Sequence, residues 1–273
     1  MISFVIPLYN KEHKILTTLQ SIVSNVDFEC EIVVVDDSST DNSVTIAFEF
    51  LKSNLFSYQL IQFERNYGRS KARNVGINAA KGEYIYLLDA DDVLLPGVRE
   101  ITNFARSDYI HTFNYYRKSS QGNNLIKKKY QGFYDVLFMN SIGIYLPTSS
   151  SIMFNQQYKK LMKFDEALDE GEDLHCWLNA NKTTKFYHHD CYTMMYDDEL
   201  DYKKIIFTHK PLFIEKISSL GFDQTIYGKT LWISKKLIIS NHIERLGLLS
   251  LEKLLRIYLI IKRLIPQLIL RIT

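Results

Sequence analysis

Residues 31–43 read Glu31-Ile32-Val33-Val34-Val35-Asp36-Asp37-Ser38-Ser39-Thr40-Asp41-Asn42-Ser43. The unbroken β-branched run from Ile32 to Val35 has no polar side, so it suits a strand buried on both faces, as in the middle of a parallel sheet. The small polar residues that follow at once turn the chain and can cap a helix. Beyond them Val44, Ala47, Phe48 and Leu51 recur at helical spacing. The same unit stands on either side. Before it, the apolar run Ile2 to Leu8 is followed by Ile15, Leu19, Ile22 and Val23, which mark one helix face. After it come a strand from Tyr58 to Phe63, a helix face of Ala72, Val75, Gly76 and Ala79, and a fourth strand from Tyr84 to Leu88. Alternating strands and helices with short connections imply right-handed crossovers and a parallel sheet covered on both faces. The fold class is α/β: a Rossmann-like, mostly parallel sheet flanked by helices.

After about residue 115 this regularity fades. Lys118 to Gly132 is polar, carries Lys127-Lys128-Lys129, and reads as a mobile loop. From about Tyr202 the pattern is mostly helical, which divides the chain into an α/β domain at 1–200 and a helical extension at 201–273. Between Lys253 and Thr273 five basic residues and no acidic one alternate with Leu and Ile. Such a segment can pack on the domain, join a second copy in a homo-oligomer, or lie on an anionic membrane surface.

Composition narrows the classes. Of 273 residues, 46% are hydrophobic and 23% charged, which excludes disorder and a polytopic membrane protein. The formal net charge of +2 gives no basic excess for nucleic acid. Cys30, Cys176 and Cys191 are too few and too scattered for a disulfide framework or a four-cysteine zinc site. The amino-terminal stretch has no basic segment, and Pro7 interrupts its apolar run, so no secretory leader is expected. No run reaches the ~18 apolar residues of a spanning helix. A cytoplasmic protein, peripheral to a membrane at most, is the expectation.

In parallel α/β sheets ligands bind beyond the carboxyl ends of the strands. Here those ends carry Pro7-Leu8-Tyr9-Asn10, then Asp36-Asp37, then Asp89-Ala90-Asp91-Asp92. Several carboxylates converging on one crevice would repel and raise each other's pKa values. A hard divalent cation, Mg²⁺ or Mn²⁺, relieves that with oxygen ligands. The alternative is that Asp92 caps a helix and the others are solvated. Neither G-x-G-x-x-G after the first strand nor a P-loop is present, so dinucleotide and P-loop chemistry lose their main support. Tyr9 could still stack on a base, and Asp37 could accept a hydrogen bond from it.

The strings FVIPLYN (residues 4–10), EIVVVDDSSTDNS (31–43), N-Y-G-x-x-x-A-R-N-x-G (66–76), KGEYIYLLDADDVLLP (81–96) and FDEALDEGED (164–173) strongly resemble the bacterial family 2 inverting glycosyltransferases with the GT-A fold. The resemblance covers roughly residues 1–200 in order and spacing. It implies nucleoside contacts at Pro7, Tyr9 and Asp37, and a divalent cation on the diphosphate held by Asp89 and Asp91. It also implies a nucleotide-lining segment at Gly68 and Arg73. The donor it implies is a nucleotide sugar, most commonly a UDP-hexose. The acceptor would be a glycan, glycoprotein or lipid-linked hydroxyl, in surface polysaccharide or glycoprotein glycan synthesis.

Glu172-Asp173 opens a predicted helix whose apolar face is Leu174, Trp177 and Leu178. Acidic residues suit a first helical turn for macrodipole reasons alone. The resemblance assigns the catalytic base to this pair, at Asp173 with Glu172 beside it. Direct displacement needs such a base for the acceptor hydroxyl and a Lewis acid for the departing diphosphate. His188-His189-Asp190-Cys191 invites a zinc reading, but neighbours on a strand point to opposite faces, so ordinary strand histidines are expected; one of them could reach the diphosphate. Tyr115, Tyr116, Tyr130 and Trp177 are core or sugar-stacking candidates. Two rivals share these features: a metal-dependent nucleotidyltransferase, and a non-catalytic binding or scaffold subunit.

Overall fold

A computed structural model describes residues 1–54, 56–104, 108–119, 122–126, 132–134, 147–169 and 171–196. The proposed extension at 201–273, the Lys127–Lys129 run and Tyr130 lie outside the described residues.

The first half follows the expected alternation. It runs β1 (Ile2–Leu8), α1 (Ile15–Asn25), β2 (Cys30–Asp36), α2 (Ser43–Ser53), β3 (Ser57–Gln62), α3 (Arg69–Ala79) and β4 (Tyr84–Leu87). These four strands are parallel, with β1 between β2 and β4 and with β3 outside β2. Then come β5 (Val93–Leu94), a 3₁₀ turn (Pro96–Phe104), β6 (Tyr109–Ser119), β7 (Gly122–Ile126), β8 (Gly132–Tyr134), β9 (Ile152–Asn155), α4 (Glu172–Ala180) and β10 (Lys185–Tyr196). All join one sheet of order β3-β2-β1-β4-β9-β6-β10-β5, with β7 on β6 and β8 on β10. Beyond β4 the sheet is mixed. β9 runs antiparallel to both β4 and β6, whereas β6 and β10 are parallel.

Alternation along β1 and β2 sorts the core into two layers. Phe4, Ile6, Ile32 and Val34 face α1 and α2 with Ile15, Leu19, Ala47 and Leu51. Val5, Val33 and Val35 face the other way, onto Ala72 and Ile77 of α3 and Trp177 of α4. The α3 helix lies very close to the sheet: a Cβ at Gly76 would sit 2.5 Å from Val5 Cγ1 and 3.2 Å from Val35 Cγ2, so only glycine fits there.

Three expectations need correction. Val23 and Phe48, read as core-facing, are 37% and 39% exposed. The buried face of α1 turns instead onto Thr18 and Ser21, because the chain at 90–94 packed against it needs hydrogen-bond partners. Thr18 Oγ1 donates to Ala90 O at 2.9 Å, and Leu94 N donates to Ser21 Oγ at 2.9 Å. The stretch from Lys118, read as a loop, continues β6 and returns as β7, with Ser119 opposite Gly122. Backbone pairing satisfies such a ribbon without the apolar alternation that would reveal it in sequence.

Candidate active site

Two loops at the carboxyl edge of the parallel strands are tied to each other. Asn10 N donates to Ser39 Oγ at 3.0 Å, and Thr40 N donates to Asn10 Oδ1 at 2.8 Å. Asn10 (φ 50°) and Ser38 (φ 64°) both occupy the left-handed region that non-glycine residues avoid. Backbone strain of this kind gathers where a site over-determines the chain.

The nucleoside candidates sit on this edge. Pro7 pairs with Val35 inside the sheet, while Tyr9 is 44% exposed. Asp37 is buried, and both its oxygens accept backbone hydrogen bonds: Tyr67 N reaches Oδ1 at 2.6 Å and Gly68 N reaches Oδ2 at 2.8 Å. The Asp37 carboxylate therefore fixes the turn into α3, where Gly68 has φ 91°.

Arg73 joins the next set. Its side chain is 4% exposed, yet it carries two ion pairs. Nη2 donates to Asp89 Oδ1 and Oδ2 at 2.8 and 3.1 Å, and Nη1 donates to Glu172 Oε1 at 2.9 Å. Burial works against its charge, but the Asp89 and Glu172 carboxylates outweigh that and push its pKa further up. Asp89 is also fixed from behind, since its N–H donates to Ser150 Oγ at 2.8 Å.

The α3 helix also secures the strand-free segment that leads to α4. Asn74 Nδ2 donates to Phe164 O and Glu166 Oε1, both at 2.9 Å, and Asn74 Oδ1 accepts from Phe164 N at 2.9 Å. Gly171 turns the chain into α4 with φ 73°, which sets Glu172 and Asp173 in the first turn. Asp173 Oδ1 accepts from Leu174 N at 2.6 Å. Burial raises the Asp173 pKa to about 6, and the neighbouring Glu172 charge adds to this. The Leu174 N–H and Arg73 pull the other way.

The expected single cluster of carboxylates is instead divided among separate partners. Asp36 accepts from Ser39 N, Asp37 holds Tyr67 and Gly68, Asp89 faces Arg73, and Asp91 Oδ2 accepts from Lys11 Nζ at 2.5 Å. Among the described residues no group of three or more His, Cys, Asp or Glu is placed to hold a metal by itself. Asp89 and Asp91 nevertheless fit a divalent cation. They are hard oxygen donors on one short turn, 23% and 22% exposed, and one or two carboxylates with substrate phosphates suffice for Mg²⁺.

Lys11 and Ser150 were not among the residues singled out in sequence. Lys11 follows Asn10 at the end of β1, so the strand-end rule could have found it. Ser150 reaches Asp89 across 61 positions, and nothing local signals that. The aromatic candidates resolve mainly to packing. Trp177 is fully buried and donates Nε1–H to Pro147 O at 3.2 Å, and Tyr115 is also buried. Tyr116 lies against Tyr192. The two histidines face opposite sides of β10, both buried. His188 contacts Asn114 Oδ1 at 3.0 Å and Thr112 Oγ1 at 3.1 Å, whereas His189 Nε2 contacts His111 Nδ1 at 3.0 Å.

The family model for glycosyl transferase family 2 matches residues 3–165. The chain belongs to this family. Its mixed, curled sheet with flanking helices has the GT-A arrangement seen in S. aureus TarS. The structure of TarS 1–349 in complex with UDP-GlcNAc superposes with a TM-score of 0.66 at 21% identity, covering 89% of this chain and 72% of that one. Over 99 residues the chain is 36% identical to the glycosyltransferase YibD of Escherichia coli K12, which is 36% of this chain and 28% of YibD. Over 93 residues it is 39% identical to the poly-beta-1,6-N-acetyl-D-glucosamine synthase of Staphylococcus epidermidis, 34% of this chain and 22% of the synthase. The match thus spans less than a third of either relative. Among the described residues no helix is long and apolar enough to cross a membrane.

Proposed function

We propose that this family 2 chain transfers a hexose from a UDP-sugar to an acceptor hydroxyl with inversion at the anomeric carbon. The observation that carries the reading is the chain of contacts from Asp89 through Arg73 to Glu172, with Asp173 next in sequence. It joins the side that would hold the diphosphate to the side that would hold a base.

Tyr9 offers an exposed ring for the nucleobase. Asp37, already holding the turn at Tyr67 and Gly68, retains lone pairs for a base N–H. Asp89 and Asp91 would hold Mn²⁺ or Mg²⁺, which when bound acts as a Lewis acid toward the diphosphate leaving group. Asp173 takes the proton of the acceptor hydroxyl as its oxygen attacks the anomeric carbon. The raised pKa suits that task, because a base titrating near 6 is ionised at neutral pH yet more basic than an ordinary carboxylate. Arg73 holds Glu172 in an ion pair, so Glu172 orients the turn while Asp173 handles the proton.

The UDP-GlcNAc complex of TarS and the poly-N-acetylglucosamine product named for the S. epidermidis relative support a UDP-sugar donor and a glycan-building role. The acceptor is accordingly proposed as a surface glycan, glycoprotein or lipid-linked saccharide. Contact with a membrane surface or a second copy is assigned to residues 253–273. A screen of nucleotide sugars for transfer and hydrolysis, with and without Mn²⁺, tests the proposal. Release of UDP from one or a few UDP-hexoses supports it, and turnover of nucleoside triphosphates with pyrophosphate release would replace it with nucleotidyl transfer.

A further inference from the structure

The two aspartates assigned to the cation are each countered by a protein cation, and the two countercharges differ in kind. Arg73 is fixed: its side chain is 4% exposed and braced between Asp89 and Glu172. Lys11 is removable: its side chain is 40% exposed, and among the described residues its ammonium meets a partly exposed Asp91 Oδ2. Its backbone is nonetheless fixed, since Lys11 N donates to Ser43 Oγ at 2.7 Å. The flexible four-carbon stem can therefore swing while its root stays in place.

We infer that Lys11 is the resident countercharge of Asp91 and competes with the divalent cation for that carboxylate, so that the cation is taken up together with the nucleotide diphosphate rather than alone. This rests on the proposed cation site at Asp89 and Asp91. An ammonium and a divalent cation cannot share Asp91 Oδ2 without strong repulsion. Arrival of the cation alone displaces the Lys11 ammonium into water and forfeits its pairing with Asp91. Arrival with a diphosphate gives the displaced ammonium new anionic oxygens within reach. Lys11 thus acts through Asp91 as a positioning residue and makes cation and nucleotide binding mutually dependent.

The test is a direct Mn²⁺ titration of the full chain, by calorimetry or by the electron paramagnetic resonance signal of free Mn²⁺, with and without UDP. Lys11→Met should bind Mn²⁺ alone about two- to five-fold more tightly than the unaltered chain, the range expected for removing a partly exposed ion pair. The factor by which UDP tightens Mn²⁺ binding should shrink in the same variant. Lys11→Arg keeps a competing charge and should stay close to the unaltered chain, and matching circular dichroism spectra would show that all three chains fold. Equal Mn²⁺ affinity in the unaltered chain and Lys11→Met overturns the competition but leaves the cation site standing. Binding of UDP with no Mn²⁺ uptake by any of the three chains overturns the cation site and the competition together.

Discussion

Arg73 on α3 and Glu172 on α4 stand 99 positions apart in the chain and 2.9 Å apart in space, with side chains only 4% and 7% exposed. A pair so far from water is strong only while both members are present. Arg73→Met should leave Glu172 buried without its cation and cost about 3–5 kcal/mol of stability, read from urea unfolding. Adding Glu172→Gln should recover part of that loss. If Arg73→Met unfolds at the same urea concentration as the unaltered chain, the pair is not holding α3 to α4.

The base assignment makes a separate claim. Asp173→Asn keeps the size and position of the side chain but removes the proton acceptor, so kcat should fall by about two to four orders of magnitude. Donor affinity, measured by UDP binding, should change little. A collapse of donor binding with kcat preserved at saturation would place Asp173 on the nucleotide side.

Asp173 also sets a pH dependence. The base works only when deprotonated, and its pKa is raised to about 6 by burial and by Glu172. kcat/KM should therefore rise through an acidic limb centred near pH 6 and level off above it. A flat profile between pH 5 and 7.5 would remove Asp173 from the reaction.

On the opposing side, Asp91→Ala should abolish turnover while leaving the thermal melt almost unchanged, because Asp91 lies at the surface of the crevice. EDTA should inactivate the unaltered chain, and Mn²⁺ or Mg²⁺ should restore it. Full activity in EDTA would dismiss cation assistance.

His189 gives a prediction about stability alone. Burial first, and the adjacent His111 second, lower its pKa to about 3 in the folded chain. An unfolded histidine titrates near 6.5, so below that pH the unfolded chain binds the extra proton. Stability is then complete above about pH 6.5 and falls as the pH drops toward 3, by up to about 1.4 kcal/mol per unit. Urea midpoints at pH 7.5 and 5.5 should differ, and His189→Gln should narrow the difference. Equal narrowing failure, with the same gap in both chains, would assign the acid sensitivity to other groups.

The parallel half of the sheet could be read in sequence because its signals are local. Ile32 to Val35 has no polar face, and the residues after it can only turn. Strand ends then place Tyr9, Asp37, Asp89 and Asp91 on one edge by topology alone. Partners were not legible. Ser150 beneath Asp89, Lys11 on Asp91 and the Arg73 bridge each depend on side chains meeting across dozens of positions, and no periodicity encodes that. The α1 face was misread for a related reason: Thr18 and Ser21 are buried to satisfy the backbone at 90–94, a demand that exists only after folding. The same holds for β6 and β7, whose pairing relies on backbone groups that every residue carries.

The reversal of β9 makes the site intolerant of small changes in chain length at one place. Because β9 runs against β4, the residues just before it meet those just after β4, which sets Ser150 on the Asp89 amide. Adding or deleting a single residue between 147 and 152 would slide β9 by one position against β4. Met153, now packed on the α1 side, would then exchange faces with Ile152 and Phe154, now packed on the α3 side. Ser150 would leave Asp89 in the same movement. Lineages of this chain should therefore keep the length of that stretch almost constant, and keep a hydrogen-bonding side chain at Ser150.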